Sequence, residues 1–314
     1  EVRNQYSSVT GIDQFVTYGG DHAGAHPPRE VFPAMERVLP LVLQKHPRAT
    51  WWYSNQCIED HAVDYDDYIF KYLQTRKPPW LHGLIYGPWT KRGIPEIRAA
   101  LPSQYRLRHY PEICHVRGCM YPVPNWDQVW AQVWDRNTSI YAMPKMMRDL
   151  HNANCRDTIG STAYNHTGSY NDLNKMVFAA MAWNPAKDLK EVLRDYARAF
   201  FAHQFVYPKP GQALIEEASE KVCQALLLLE DNWVGPLARN SSPAKALQEW
   251  KEIVTMMGGP DKVRTNWRLE LFLTKAFIDA QVKRKYDVEM EYQRQAYDAL
   301  RQASTVGVSA AVAN

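Results

Sequence analysis

Between residues 12 and 165 the chain alternates short β-like runs with helical segments. Strand, loop and helix repeated in that order permit little except a parallel sheet with covering helices. The first run, 14–18, stops at Gly19-Gly20-Asp21. Residues 29–46 then carry Val31, Met35, Val38, Leu39, Val42 and Leu43 at helical spacing, with Pro27-Pro28 at the start and Pro47 at the end. Further strands are expected at 49–54, 80–86 and 105–110, and a weaker fifth at 158–164. Helices are expected at 65–74 and 94–100, with helical turns around 126–133 and 143–150.

From residue 169 the period-2 signal disappears. Six helical segments are expected, at 170–183, 187–203, 211–231, 243–257, 261–281 and 284–302, punctuated by Asn184-Pro185, Pro208-Lys-Pro-Gly211 and Gly258-Gly259-Pro260. Five βα units fill the first half, whereas a closed (βα)8 barrel has eight. The reading preferred over an open five-stranded sheet is therefore the C-terminal part of a (βα)8 (TIM) barrel over 1–168, an all-α domain over 169–303 and a tail over 304–314. The missing units would come from another chain or from a segment ahead of residue 1.

Composition removes several classes of function. A net charge of +3 with no basic stripe argues against nucleic acid as partner. No run reaches the ~20 apolar residues of a membrane span. Five cysteines without a CxxC pair suit neither a disulfide scaffold nor structural zinc. The opening residues are polar and read as no signal peptide. The sequons at Asn137, Asn165 and Asn240 are nevertheless compatible with secretion. Eleven Trp and 18 Tyr offer flat apolar faces with polar edges, which suit a sugar ligand.

In parallel α/β folds the ligand lies at the carboxyl ends of the strands. The residues there are Asp21 and His22 after the first strand, and Tyr53 and Asn55 at the second. Tyr86 and Trp89 follow at the third, Glu112, His115 and Arg117 after the fourth, and Asn165, Asn171 and Asp172 after the fifth. Asp21 and Glu112 supply two carboxylates from different strand ends, as glycosidic cleavage requires. The plainer readings are loop capping by Asp21, an ion pair from Glu112 to Arg108 or Arg117, and a helix cap at Asn171-Asp172. A zinc site from Asp21, His22, His26, His109 and His115 lacks any HxH or HExxH pattern, so no metal and no cofactor are expected.

Three segments carry a family resemblance: Phe15-Val-Thr-Tyr-Gly-Gly-Asp21; Tyr110-Pro-Glu-Ile-Cys-His115 with Tyr121-Pro-Val-Pro-Asn-Trp-Asp127; and Gly168-Ser-Tyr-Asn-Asp-Leu-Asn-Lys175 running into Ala182-Trp-Asn-Pro185 and Leu193-Arg-Asp-Tyr-Ala-Arg198. Over 12 to about 205 the chain resembles glycoside hydrolases related to the β-N-acetylhexosaminidases and α-glucuronidases. The resemblance implies that 15–18 is the fourth barrel strand and 105–110 the seventh. It also implies Asp21 as acid/base and Glu112 as nucleophile, base or sugar ligand. The hexosaminidase pattern has Asp-Glu where this chain has Asp21-His22, so substrate-assisted hydrolysis through an acetamido group does not carry over. The loop 164–167 lacks the acidic residue expected of such enzymes. The alternative is a catalytically inactive carbohydrate-binding or assembly protein on the same scaffold.

Overall fold

The computed structural model describes residues 11–18, 27–56, 62–111, 124–127, 142–161, 172–202 and 211–309. The chain divides into two compact units. One consists of 1–122, 147–168 and 178–186, and the other of 123–146, 169–177 and 187–314.

The first unit holds a sheet of four parallel strands in sequential order: β1 (Gln14–Tyr18), β2 (Thr50–Ser54), β3 (Leu81–Tyr86) and β4 (Arg106–His109). Helices α1 (Pro28–Leu43), α2 (Ala62–Arg76) and α3 (Ile94–Ala100) connect them. Crossovers between parallel strands are right-handed, so a sheet that adds each strand on the same side must put every helix on one face. The core agrees. Phe32, Met35 and Leu39 of α1, Ile69, Phe70 and Leu73 of α2, and Ile94 and Ile97 of α3 share one apolar cluster with Tyr53, Leu84, Tyr86 and Leu107. Along α1 those residues recur at the three- and four-residue spacing of one helix face.

The opposite face carries Val16, Trp52, Ser54, Ile85 and Arg108, as the strand register requires. Gly83 lets Trp52 lie across the sheet there. A Cβ at Gly83 would meet the Trp52 ring at 2.7 Å and run into the carbonyl oxygen of Arg106. The Arg108 guanidinium sits 3.9 Å from the centre of the Trp52 ring and donates to Gln14 Oε1 at 2.5 Å.

Of the expected fifth strand, residues up to 161 are described. Ile159 N–H donates to Leu107 O at 2.9 Å, His109 N–H donates to Gly160 O at 3.0 Å, and His109 pairs with Ser161 in parallel register. The sheet is therefore a parallel one that begins to extend past β4. The described strands do not form a closed barrel.

The remaining elements are helical: α4 (Pro144–Asn154), α5 (Asp172–Trp183), α6 (Leu189–Phe200), α7 (Gln212–Asp231), α8 (Ser242–Met256) and α9 (Trp267–Val306). Asp188 caps α6 by accepting from Lys190 N–H at 3.2 Å, and α6 buries Leu189, Val192, Leu193, Tyr196 and Ala197 along one side. In the helical unit, α7 packs against both α6 and α8, and α8 packs against α9. Phe201, Trp250 and Phe272 meet at ring separations of 5.4–6.5 Å.

The two helices expected at 261–281 and 284–302 are instead a short 3-10 turn, Pro260–Thr265, followed by the single 40-residue α9. Asn266 sets its start by accepting from the N–H groups of Arg268 and Leu269. No Gly or Pro interrupts 267–306, and nothing stops the helix before Gly307. After Asp279 no described residue of α9 is buried. That half is a solvated helix laced by Lys283–Asp287, Lys285–Glu289 and Arg294–Asp298 pairs four residues apart. No helix among the described residues is long and apolar enough to cross a membrane.

Candidate functional site

All four strands run the same way, so β2, β3 and β4 end along one edge at Ser54, Tyr86 and His109. The chain leaving β2 is tied there to β3, and the chain leaving β4 likewise. Asn55 N–H donates to Ile85 O at 3.3 Å, and Tyr110 N–H donates to Tyr86 O at 2.8 Å. Gly87 is required by close approach: a Cβ would meet Gln56 Cβ at 2.7 Å and Ser54 Oγ at 2.8 Å.

Asn55 uses both ends of its amide. Its Nδ2 donates to Asp66 Oδ1 at 3.0 Å, and its Oδ1 accepts from Thr90 Oγ1 at 3.2 Å. Asp66 is buried at 2 % exposure, and burial pushes its carboxyl up to about 6 against the lowering pull of Asn55 and of Arg92, whose Nε lies 4.0 Å away. Arg92 also pairs with Asp67 and with Glu96. The sequence singles out Asn55 of this cluster but neither Asp66 nor Arg92. The cluster's only local sign is the Arg92–Glu96 spacing, because Asp66 reaches Asn55 across a loop. With so little surface, Asp66 clamps two loops and does not itself present a carboxylate to a ligand.

The structure sorts the aromatic candidates by access. Tyr53 packs edge-to-face on Phe32 at 5.0 Å, and both it and Tyr86 are core residues. Trp89 is half-buried and sits in the left-handed region at φ +59°, uncommon for so bulky a side chain. Backbone strain of this kind, of order 1–3 kcal/mol, concentrates at ligand-binding positions.

His109, the last residue of β4, is 2 % exposed. Burial, with His151 nearby, lowers its pKa to about 3, so it is neutral near pH 7. Asp172 lies in the first turn of α5, in the helical unit. It accepts from Tyr196 Oη at 2.8 Å and from Arg268 Nε at 2.6 Å, so both of its oxygens are engaged. Asp21, His22, His26, Glu112, His115, Arg117, Asn165 and Asn171 lie outside the described residues. Among the described residues no group of three or more His, Cys, Asp or Glu is arranged to hold a metal ion.

No protein-family model, no characterised protein and no solved structure matches the chain.

Proposed function

We propose that the chain is a glycoside hydrolase cleaving O-glycosidic bonds of an oligosaccharide or glycan, built on part of a (βα)8 barrel. The observation that carries this reading is the sequential strand order with α1, α2 and α3 on one face. A doubly wound sheet reverses its strand order and places helices on both faces; a sector of a (βα)8 barrel does neither. On this reading the remaining strands pair beside β1 from another chain or a further segment, and the ligand lies at the carboxyl ends.

Asp21 and Glu112 each follow a strand end by three residues in sequence, Tyr18 of β1 and His109 of β4. With neighbouring strands ~4.8 Å apart, those ends lie roughly 14 Å from one another across the sheet. Hydrolysis uses two carboxyl groups ~5–9.5 Å apart, and this reading requires that separation of Asp21 and Glu112. Trp89 supplies a half-exposed ring at the same edge for stacking on a sugar.

The test is a glycan array followed by a product assay on the hits, with Asp21→Asn and Glu112→Gln alongside. A drop of at least ~10²-fold in rate for each, with the fold intact, supports the assignment. Binding without product in the unsubstituted chain moves the protein to the inactive carbohydrate-binding reading. Activity intact in both variants removes these residues from the reaction.

A further inference from the structure

A pocket of about 170 Å³ opens beside the end of β4, and its described lining residues all belong to the sheet unit. Its walls include His109, His151, Asn154, Cys155, Ser161 and Pro185. We propose that this pocket binds a single neutral sugar ring. The inference rests on the carbohydrate reading above and adds a sugar-binding pocket to it.

Size comes first. A cavity of about 150 Å³ accommodates benzene, so this pocket is on the scale of a single six-membered ring. The pocket is partly open, which leaves room for a substituent to leave through the mouth.

Charge comes next. Among the described residues no Arg, Lys, Asp or Glu lines the pocket, which disfavours phosphate, a uronate or a cation. His109 is uncharged near neutral pH because burial lowers its pKa to about 3. A serine hydroxyl both donates and accepts. Vicinal sugar hydroxyls, each donor and acceptor at once, match such a lining. The Ser161 hydroxyl oxygen is buried with no hydrogen-bond partner among the described residues. A buried polar atom of that kind is ordinarily satisfied by a ligand or by water.

The walls are also fixed in advance. His151 stands edge-to-face on Phe178 at 5.3 Å with an interplanar angle of 83°. Ile159 and Gly160 are held to β4 by the two backbone hydrogen bonds described above. Ala182 and Pro185 add an apolar wall for the C–H face of a ring.

The experiment uses the full chain with labelled histidines and follows the imidazole NMR signals of His109 and His151. The neutral probes are methyl β-D-glucopyranoside, methyl β-D-galactopyranoside and methyl N-acetyl-β-D-glucosaminide; the charged probes are D-glucuronate and inorganic phosphate. At least one neutral glycoside should give a saturable shift with a dissociation constant of order 1 mM, as expected of about a dozen heavy atoms. Ser161→Ala should weaken it roughly three- to tenfold. His151→Phe, which keeps a ring against Phe178, should abolish it while the other backbone signals stay in place.

Shifts from the charged probes alone overturn the proposal, and so does the absence of any shift, which would leave water as the occupant. Hydrolysis that depends on Asp21 with no shift here overturns this site and leaves the proposed activity standing. A saturable shift in a chain that cleaves nothing upholds the site and overturns the activity.

Discussion

Lys275 and Asp279 meet inside the helical unit as opposite charges one helical turn apart, each 1 % exposed. In the sheet unit Asp66 is as deeply buried but leans on the neutral amide of Asn55, and His109 is buried without a charge at all. The contrast follows from what each layer can offer. Neighbouring turns of a helix bring residues four apart face to face, so an ion pair fits inside a packed bundle. A parallel sheet spends its backbone groups on its neighbours and keeps its covered face apolar. Several of its buried polar side chains therefore lie where the strands stop, at Ser54, Asn55, Gln56 and His109, and Asp66 reaches Asn55 from α2. In the helical unit such groups complete the packing, and in the sheet unit they tie the loops at the carboxyl edge of the strands.

Removing one partner of the buried pair is the most damaging change expected. Lys275→Met leaves the Asp279 carboxyl in the core without its cation, with Asn232 Nδ2 donating to it at 2.7 Å. Uncompensated buried charges of this kind cost about 3–5 kcal/mol. The double variant Lys275→Met/Asp279→Leu should recover most of that loss in urea unfolding. A single variant as stable as the parent would show that the helical unit does not depend on its charge pair.

The sheet unit should be most sensitive at a residue with no side chain. Gly83→Ala drives a methyl group into the Arg106 carbonyl and the Trp52 ring, and must separate β3 from β4 or displace Trp52. Overpacking of this sort typically costs about 1–3 kcal/mol. Hydrogen exchange should show the loss confined to β2, β3 and β4. Protection lost equally in α6, α7 and α8 would mean that the two units unfold together.

Much of this architecture is legible in the sequence. The four strands lie within a residue or two of their expected positions, because aromatic and β-branched runs such as Thr50-Trp-Trp-Tyr-Ser54 suit little else. The break between 281 and 284 was misplaced because a polar stretch resembles a loop. With no Gly or Pro, ion pairs four apart suffice to keep it helical. The site was less legible. Position at a strand end identifies rim residues but not which way they face, so Tyr53 and Tyr86 belong to the core while Trp89 keeps an open side. Asp66 and Ser161 matter only through partners that tertiary structure assigns or withholds.

The comparison extends to pH, with effects of opposite sign. Glu230, in the helical unit, accepts from the N–H groups of Lys145 and Met146 at the start of α4, both at 2.8 Å. Burial outweighs those bonds and raises its carboxyl to about 7. Its folded pKa lies above the unfolded one, so its stabilising contribution is complete below about 4.5 and is lost as pH rises through 7. The folded pKa of His109 is depressed, so its contribution is complete above about 6.5 and is lost as pH falls toward 3. Between pH 5 and pH 8, Glu230→Gln should flatten a decline in stability, whereas His109→Phe should flatten a rise. Asp66, raised to about 6, acts in the same direction as Glu230, so Asp66→Asn is the control that isolates His109 in the sheet unit. Equal slopes in the parent and Glu230→Gln would mean that Glu230 is ionised throughout.

The smallest expected change in stability is at Trp89, where it separates a packing residue from a ligand-binding one. A tryptophan at φ +59° is strained, and asparagine tolerates that region far better. If the surrounding loop held Trp89 there for the sake of the core, Trp89→Asn would lose the contacts of a large ring and cost well over ~2 kcal/mol. The ring is only half-buried, and Gly87, Thr90 and Asn55 already fix the loop without it. Relief of about 1 kcal/mol of backbone strain should therefore offset most of the lost packing, leaving unfolding midpoints within a few degrees. Affinity for a glycan at the strand ends should still fall roughly three- to tenfold, the worth of one aromatic face. The sugar shift at His109 should be unaffected, since Trp89 does not line that pocket. A variant that loses stability and keeps glycan affinity would return Trp89 to the core and leave the edge of the sheet without its aromatic platform.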